Sequence, residues 1–316
     1  MKSEIGGYIE LGDFKYNPYY HECLKFNSAR SCLSFLIRKK CIKRIYIPKF
    51  ICDAVIDAIA KEECEIIYYA INENLTPKIS FSDIGNDYFY LVNYYGQISN
   101  AYIHDIKLRL PNLIVDNAQA FFQEPVKNID TIYTCRKFFG VPDGAYLFSN
   151  IKCESSDFEK DHPLEFCKHI IGRLEYGAEK YYKNYLINEE HFKETDIKFM
   201  SKTADILLGA IDYIDVINKR NNNYMKLHKN LRHLNLLSLK PIQGAFAYPL
   251  MISDGDKLRK RLIKQNIFIP TLWPNNLYDI ETEHFAKNIL AIPCDQRYKD
   301  DDINHVIELI KLMEGK

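Results

Sequence analysis

The sequence has no excess of charge of either sign. Lysine plus arginine and aspartate plus glutamate both number 42 in a chain of 316 residues, so the formal net charge is zero. A chain without a net positive field has little to attract nucleic acid or an anionic membrane surface. The composition therefore predicts a small-molecule substrate or a protein partner, and no nucleic-acid partner.

Long apolar runs and low-complexity tracts are also missing. No run reaches the roughly 18 residues that a membrane span needs, and the first residues lack the apolar core of a signal peptide. Hydrophobic residues make up 47% of the chain and charged residues 27%, which is the balance of an ordered globular protein. We expect no membrane segment and a cytoplasmic location.

The nine cysteines are scattered singly and include no CxxC pair. This spacing builds neither a zinc knuckle nor a redox motif, so we expect reduced, mostly buried thiols. His104 and Asp105 lack further metal ligands at readable spacing and are interpreted as structural or surface residues, so no metal site is predicted. The GxSxG elbow, the Walker loop, the GxGxxG loop and the HExxH helix are absent too.

The first half of the chain alternates between two patterns. "CLSFLIRKK" and "ICDAVIDAIAKE" have helical periodicity, whereas "RIYIP", "EIIYYAI", "DYFYLVNYY", "NLIVD", "TIYTC" and "AYLFS" are typical of strands. Helices placed between short apolar strands usually connect parallel neighbours. The pattern predicts an α/β domain with a mostly parallel, buried sheet.

The second half changes character. Long helical patterns dominate between about 155 and 235. After "QGAFAYPLMIS" come a helix in "DKLRKRLIKQN", strands in "IFIPTLW" and "NILAIP", and a terminal helix in "DDDINHVIELIKLM". We therefore predict a large α/β domain in residues 1–205, with 1–25 as an N-terminal segment. Residues 206–316 are predicted to form a linking helix and a small C-terminal α+β domain.

A candidate anion site begins the first helix. In "FNSARSCLSFLIRKK", Asn27 and Ser28 precede an amphipathic helix and suit its N-cap, and free backbone N–H groups at a helix start bind anions such as phosphate. Arg30 and Ser31 could add side-chain donors. A capped helix without a ligand is the commoner meaning of such a stretch taken alone.

Two strand ends carry the other candidates. Asp116 ends the strand in "NLIVDNAQAFF" and is followed by Gln119, and ligands of open parallel sheets bind at the carboxyl ends of strands. Lys137 follows the strand in "TIYTC", with Thr134 three residues before it. A lysine in such a place can be desolvated, which lowers its pKa and frees the amine for a Schiff base. Taken alone, a turn aspartate and a surface lysine are the simpler interpretations.

Together, the helix start, the strand-end aspartate and the strand-end lysine indicate a function more specifically than each does alone. A phosphate cradle, then a strand-end aspartate, then a strand-end lysine is the order that pyridoxal-phosphate enzymes of the aspartate-aminotransferase type need. The lysine binds the cofactor, the aspartate keeps the pyridine nitrogen protonated, and the helix start holds the phosphate.

The sequence resembles the DegT/DnrJ/EryC1/StrS family of sugar aminotransferases through most of its length. "NSARSCLSFLI" is similar to the family's phosphate loop and helix, "VNYYGQ" to its V-x-x-x-G-Q segment, "VDNAQA" to its E-D-A-A-Q motif, and "CRKFFGVPDGAYL" to its lysine segment with the following G-E-G-G. The likeness extends to "RIYIPKFICDAVIDAI" and "LAIPCDQRYKDDDINHVIELI". It implies fold type I of the transferases that depend on pyridoxal 5'-phosphate (PLP), with cofactor bound by the large domain, and a homodimer with its sites at the interface.

Carried over position by position, the resemblance also implies roles for single residues. Lys137 becomes the Schiff-base lysine, Asp116 the partner of the pyridine nitrogen, and Gln119 the neighbour of the phenolic oxygen. The implied contacts near the phosphate are Ser28, Ala29, Arg30 and Thr134.

Three further positions complete the implied site. Phe50 is a candidate to stack on the cofactor ring, with a place in the core as an equal alternative. Asn93 and Tyr94 are candidates for the substrate side.

The sequence departs from the family pattern around the phosphate. Ala29 and Arg30 stand where the family has glycine and threonine, which restricts the backbone and brings in a cation that can pair with phosphate. Val115 replaces the acidic residue before the aspartate, and "PDGA" replaces G-E-G-G. "KFMS" stands near the place of the asparagine that crosses the family's dimer. These departures concern the hold on the cofactor more than the fold.

The function that the resemblance implies is transamination of a keto-sugar, nucleotide-linked, with glutamate or glutamine as amino donor, in surface-polysaccharide or amino-sugar biosynthesis. A PLP-dependent sugar dehydratase is one alternative, but those relatives carry a histidine where Lys137 stands, which favours transamination. A catalytically degenerate binding or regulatory subunit is the other, because the phosphate loop is altered.

Overall fold

The computed structural model describes residues 8–12, 14, 17–273 and 280–315. Its main element is a sheet of eight strands. In chain order they are β1 (Leu24–Phe26), β2 (Arg44–Pro48), β3 (Glu65–Ile71), β4 (Pro77–Lys78), β5 (Tyr88–Val92), β6 (Leu113–Asp116), β7 (Asp130–Thr134) and β8 (Ala145–Phe148). They lie side by side in the order β1, β8, β7, β6, β5, β2, β3, β4. The α/β class predicted from the sequence is confirmed.

The strand directions bring several chain segments to one edge of this sheet. Strands β3, β2, β5, β6 and β7 run parallel. Strand β8 is antiparallel to both β7 and β1, so β1 runs in the same direction as the central strands. We call the edge where these strands end the carboxyl edge. Every residue of β6 and β7 is buried, as expected for parallel strands covered on both faces.

Helices cover the sheet and build the rest of the fold. They are α1 (Ala29–Lys40), α2 (Asp53–Lys61), α3 (Asn100–Arg109), α4 (Lys168–Tyr176), α5 (Tyr182–Glu194), α6 (Lys202–Gly209), α7 (Tyr213–Leu231), α8 (Gly255–Ile263), α9 (Ile280–Asn288) and α10 (Asp300–Met313). The first helix shows why the sequence signals worked. The Ser28 hydroxyl accepts a hydrogen bond from the Ser31 N–H at 3.2 Å, and Cys41 ends the helix in the left-handed conformation.

A second hydrophobic core forms in the C-terminal part. Strands β9 (Tyr248–Met251) and β10 (Ile289–Ile292) pair antiparallel, and α7, α8 and α10 contribute buried side chains such as Leu227, Leu262 and Ile307. This agrees with a smaller α+β unit. The boundary near residue 205 stays a prediction.

One predicted strand is wrong. The segment "IFIPTLW", residues 267–273, forms neither strand nor helix. Pro270 has no N–H to give to a ladder, and Phe268 is 67% exposed instead of packing in the sheet. The Ile267 N–H instead bonds to the Leu262 carbonyl and closes α8.

The cysteine prediction is correct in one respect and wrong in another. All nine are free thiols, but only Cys32, Cys64, Cys135 and Cys294 are buried, while Cys41 is exposed. Within the described residues, no helix has the length and apolar content for crossing a membrane. The same residues contain no cluster of three or more histidine, cysteine, aspartate or glutamate side chains suited to a metal ion.

Gly244 allows a close contact between the segment before β9 and the large sheet's loops. Its φ is +58°, and a Cβ there would lie 2.1 Å from Cδ2 of Phe122. Gly85 has a similar φ of +61° but nothing within 4 Å of its Cβ position. The two glycines therefore share a left-handed backbone conformation, which glycine adopts without strain, and differ in packing.

We predict that Gly85→Ala lowers the free energy of unfolding by about 1 kcal/mol through strain alone. Gly244→Ala is expected to cost about 1–3 kcal/mol more, because the Phe122 ring must move. Urea denaturation of both variants measures the difference. Equal losses would show that the Phe122 contact does not constrain this segment.

Candidate active site

One cavity at the carboxyl edge brings together most of the predicted site residues. Its volume is about 200 Å³, and its wall includes Ser28, Ala29, Arg30, Asp116, Gln119, Thr134 and Lys137. Asp116 ends β6 and Thr134 ends β7, while Ser28 follows β1 by two residues. The shared direction of these strands is what places distant parts of the sequence in one wall.

Asp116 is the buried carboxylate of the cavity. Its Oδ2 accepts a hydrogen bond from the Tyr90 hydroxyl at 2.9 Å, and its Oδ1 accepts one from the Ala118 N–H at 2.8 Å. Burial raises the pKa of Asp116, whereas the positive charge of Lys137 and these two hydrogen bonds oppose the rise by favouring the ionised form. A cationic ligand group beside Asp116 would oppose it further.

Two donors in the wall lack a partner among the described residues. Gln119 is 2% exposed, and its Oε1 accepts a hydrogen bond from the Tyr95 N–H at 2.7 Å, but its Nε2 has no partner. The buried Nε of Arg30 has none either. An unpaired buried donor costs about 1–3 kcal/mol. The cavity therefore offers donors to a ligand that carries acceptor oxygens.

The start of α1 does not need the family's glycine. Ser28 is extended, with φ −150° and ψ 159°, and Ala29 already begins the helix. The first turn of a helix leaves backbone N–H groups without intrahelical partners, and these suit an anion. The change to Ala29 and Arg30 therefore leaves the capped helix start in place.

A buried polar network supports this helix start from behind. Asn27 Nδ2 donates to Asp161 at 2.7 Å, and Asn27 Oδ1 accepts from the Ser31 hydroxyl at 2.6 Å. Asp161 also contacts Nε2 of His191 at 3.1 Å. Because His191 lies on α5, the network ties that helix to the start of α1.

The two departing segments "PDGA" and "KFMS" meet in the same region. The Asp143 carboxylate accepts hydrogen bonds from the N–H and hydroxyl of Ser201 at 3.0 and 2.5 Å. Burial raises the pKa of Asp143 to about 6. The Gly144 N–H donates to the Asn27 carbonyl at 2.6 Å. The "PDGA" segment is thus hydrogen-bonded both to "KFMS" and to Asn27, directly before the Ser28 cap.

Lys137 lies in the cavity wall with an exposed side chain. Its Nζ is 5.8 Å from the centroid of the Phe246 ring. The desolvation that its place after a strand suggested is therefore not seen in the structure. Its link to the site is electrostatic, through the effect of its charge on Asp116.

Three predicted residues do not line the cavity. Phe50 is buried between Tyr94, whose ring centroid is 5.6 Å away, and Trp273, at 4.7 Å, which matches the alternative of a core residue. The Tyr94 hydroxyl donates to the Phe50 carbonyl. Asn93 is fully buried and bonds to Asn117 and to the Ile98 N–H. All three are buried, and the rings of Phe50 and Tyr94 pack on Trp273 of the cavity wall.

The structure adds residues that the sequence analysis did not single out. They are Tyr90, Arg136, Tyr185, Glu189 and Trp273, all in the cavity wall. Arg136 could have been found because it directly precedes Lys137. Tyr185 and Glu189 lie on α5, where the sequence showed only helical periodicity and gave no sign of which face meets the cavity.

The raised pKa of Asp116 predicts how stability depends on pH. The folded protein holds this proton to higher pH than the unfolded chain, so ionising Asp116 costs stability as pH rises from its unfolded value of about 3.9 through the folded value. Asp116→Asn removes that cost. We expect the melting temperature of the variant, relative to wild type, to increase between pH 3.5 and pH 7 by thermal denaturation.

The exposed Asp301→Asn serves as the matched control for this series. Its carboxylate is exposed in the first turn of α10, where a negative charge is favourable, so removing that charge should not raise the melting temperature relative to wild type. A relative melting temperature of Asp116→Asn that stays constant or falls as pH rises would contradict the assignment of Asp116 as a buried, destabilised carboxylate.

No protein-family model and no curated protein matches the sequence. Solved structures do match. The chain is similar to a DegT DnrJ EryC1 StrS aminotransferase from Brucella abortus, with 14% identity over 94% of this chain and 87% of that one and a TM-score of 0.65. It is also similar to DesV of S. venezuelae, with 15% identity over 93% and 85% of the two chains and a TM-score of 0.67.

A candidate sugar aminotransferase from Streptococcus pneumoniae, solved in its PLP form, is similar as well. Its identity is 12% over 92% of this chain and 86% of that one, with a TM-score of 0.64. At such identities the likeness concerns the fold. The chain therefore has the fold of these aminotransferases over more than nine tenths of its length, as the motifs predicted.

Proposed function

We propose that the protein is a PLP-dependent aminotransferase of the DegT/DnrJ/EryC1/StrS type. The observation that carries this proposal is the single cavity that contains a helix start, a buried carboxylate, an unpaired amide donor and a lysine amine. These groups lie in the order along the chain that a PLP site requires. The fold shared with solved aminotransferases supports it.

The residues present fit the cofactor. The unpaired Nε2 of Gln119 can donate to its phenolic oxygen, and Asp116 can accept from its pyridine nitrogen. The start of α1, with Thr134 and Ser28 beside it, can hold its phosphate. When bound, PLP supplies an electron sink that stabilises negative charge at the substrate carbon.

The chain's own groups then perform the positioning and the proton transfers. Asp116 holds a proton on the ring nitrogen, and its hydrogen bond from Tyr90 favours the carboxylate that this task needs. The Nζ of Lys137 would hold the cofactor covalently. As a free amine, the same Nζ would be the base that carries a proton to and from the reacting carbon.

We propose a keto-sugar, nucleotide-linked, as the acceptor and glutamate or glutamine as the donor, in surface-polysaccharide or amino-sugar biosynthesis. The support is the fold shared with solved proteins described as sugar aminotransferases. Lys137, in the place where related dehydratases carry histidine, favours transamination over dehydration.

We further propose a homodimer that places the cavity near the subunit interface. Helices α4 and α5 expose a group of apolar side chains, which monomeric proteins seldom do over a large area. They are Ile171, Leu174, Tyr176, Tyr182, Leu186 and Ile187. Helix α5 also supplies Tyr185 and Glu189 to the cavity wall. The nine free thiols support a reducing compartment, so the cytoplasm remains the proposed location.

A catalytically degenerate binding or regulatory subunit is the second candidate. It is favoured by the exposure of Lys137 and by Arg30 at the start of α1, which we call the phosphate end of the cavity. The two candidates differ in whether Lys137 binds PLP covalently.

The first test is a PLP titration followed by borohydride reduction and peptide mass spectrometry. Wild type should show the visible absorbance of lysine-bound cofactor, and reduction should fix the cofactor on Lys137. Lys137→Ala should lose that absorbance and at least about 1,000-fold of the transamination rate, because the proton carrier is gone. The exposed Lys152→Ala is the control and should behave like wild type.

Wild-type protein could instead fail to bind PLP, or bind it without a covalent bond at Lys137. Either result would contradict the aminotransferase proposal and favour the binding subunit. Fixation on another lysine would move the active site elsewhere.

A further inference from the structure

The phosphate end of the cavity contains three charged side chains that the family resemblance does not assign together. Arg136 donates through Nη2 to Oε1 of Glu189 in a close contact, and Nη2 of Arg30 lies 3.9 Å from Glu189 Oε2. We call these three residues the arginine clamp. One carboxylate thus faces two guanidinium groups, one with each of its oxygens.

The two arginines come from separate elements and are held in place. Arg30 is the second residue of α1, and Arg136 follows β7 directly before Lys137. The guanidinium carbon of Arg136 lies 4.3 Å from the centroid of the Phe192 ring, a cation–π contact that fixes its orientation. Their side chains are only 18% and 16% exposed.

Two paired guanidinium groups beside a helix N-terminus suit a phosphate monoester. The planar fork of each arginine matches two oxygens of a phosphate, and the helix start adds backbone donors. That this cavity takes a ligand has independent support in the buried, unpaired Nε2 of Gln119. The buried Nε of Arg30 is a further unused donor at the phosphate end itself.

The Glu189 carboxylate and a dianion between the arginines would repel each other, because they carry like charges at contact distance. Glu189 can give way only by turning its side chain, since α5 itself is tied to the start of α1 through His191, Asp161 and Asn27. Its carboxylate therefore competes with the ligand for the same two guanidinium groups.

We propose that Arg30 and Arg136 form a phosphate-monoester subsite in which Glu189 is the built-in competing anion. The phosphate must displace the Glu189 carboxylate from both arginines before it binds fully. This inference rests on the proposed function, and it gives a role to Arg30, one of the two substitutions at the phosphate loop. The arginine pair replaces donors that the family draws from elsewhere, and Glu189 limits how tightly the pair holds its anion.

The test compares PLP with pyridoxal, which has the same ring and aldehyde but no phosphate. Trp273 is the chain's single tryptophan and lies in the cavity wall, so its fluorescence reports binding at this site. Inorganic phosphate, read by the shift in melting temperature, probes the subsite without the ring.

We expect Glu189→Gln to lower the dissociation constant for PLP by about two- to five-fold, the range of one partly exposed charge pair. Its affinity for pyridoxal should not change, and the stabilisation by inorganic phosphate should increase. Arg136→Gln should weaken PLP binding by about ten-fold or more while leaving pyridoxal unaffected.

Two controls match these variants. Glu190→Gln changes the neighbouring, exposed glutamate of α5, which pairs with Lys193. Arg109→Gln removes an exposed arginine of α3 that pairs with Asp105. Both should bind PLP, pyridoxal and phosphate as the wild type does.

The outcomes separate the subsite from the proposed function. If Glu189→Gln weakens PLP binding or leaves it unchanged, Glu189 is a scaffold and the inference is wrong. If Arg136→Gln binds PLP normally, the arginines are not the subsite. If PLP and pyridoxal both fail to bind but phosphate still stabilises Glu189→Gln more than wild type, the phosphate subsite is supported and the proposed aminotransferase function is wrong. A folded Glu189→Gln is confirmed by its circular dichroism before titration.

Discussion

The site depends on the direction of the strands at one edge of the sheet. Strand β8 reverses between β7 and β1, and this reversal makes β1 run with the central strands. The start of α1 therefore lies beside the ends of β6 and β7, although the three segments are far apart in sequence. With any other direction of β1, Ser28 would lie at the opposite edge from Asp116, and no single cavity could contain both.

Sequence patterns predicted the parts of the fold that local chemistry decides. The apolar runs at β5, β6 and β7 and the serine cap of α1 were recognisable because burial and capping leave signals in neighbouring residues. That Asp116, Gln119 and Lys137 lie in one cavity wall was predictable too, since strand ends in a parallel sheet meet at a common edge, whereas their roles toward a cofactor stay predictions. The "IFIPTLW" segment failed for the opposite reason. Its apolar composition suits a strand, but Pro270 cannot donate to a ladder, and no neighbouring strand takes this segment among the described residues.

The rest of the site could not be predicted because it depends on packing between distant elements. Phe50 has an aromatic ring that could stack on a ligand, yet its ring packs on Tyr94 and Trp273 and does not line the cavity. Glu189 lies on a helix whose periodicity does not reveal which face meets Arg30 and Arg136. The exposure of Lys137 likewise depends on packing between distant elements, and the residues next to it in the sequence do not reveal it. Asp116 shows the balance that results, since burial and three favourable neighbours act on its pKa in opposite directions.

A crystal structure of the protein soaked with PLP tests the central claim most directly. We predict density that is continuous from Nζ of Lys137 into the cofactor, with the ring nitrogen beside Asp116 and the phosphate at the start of α1. Density for PLP on a different lysine, or a cavity that excludes PLP at saturating concentration, would contradict the claim that this edge of the sheet is a cofactor site.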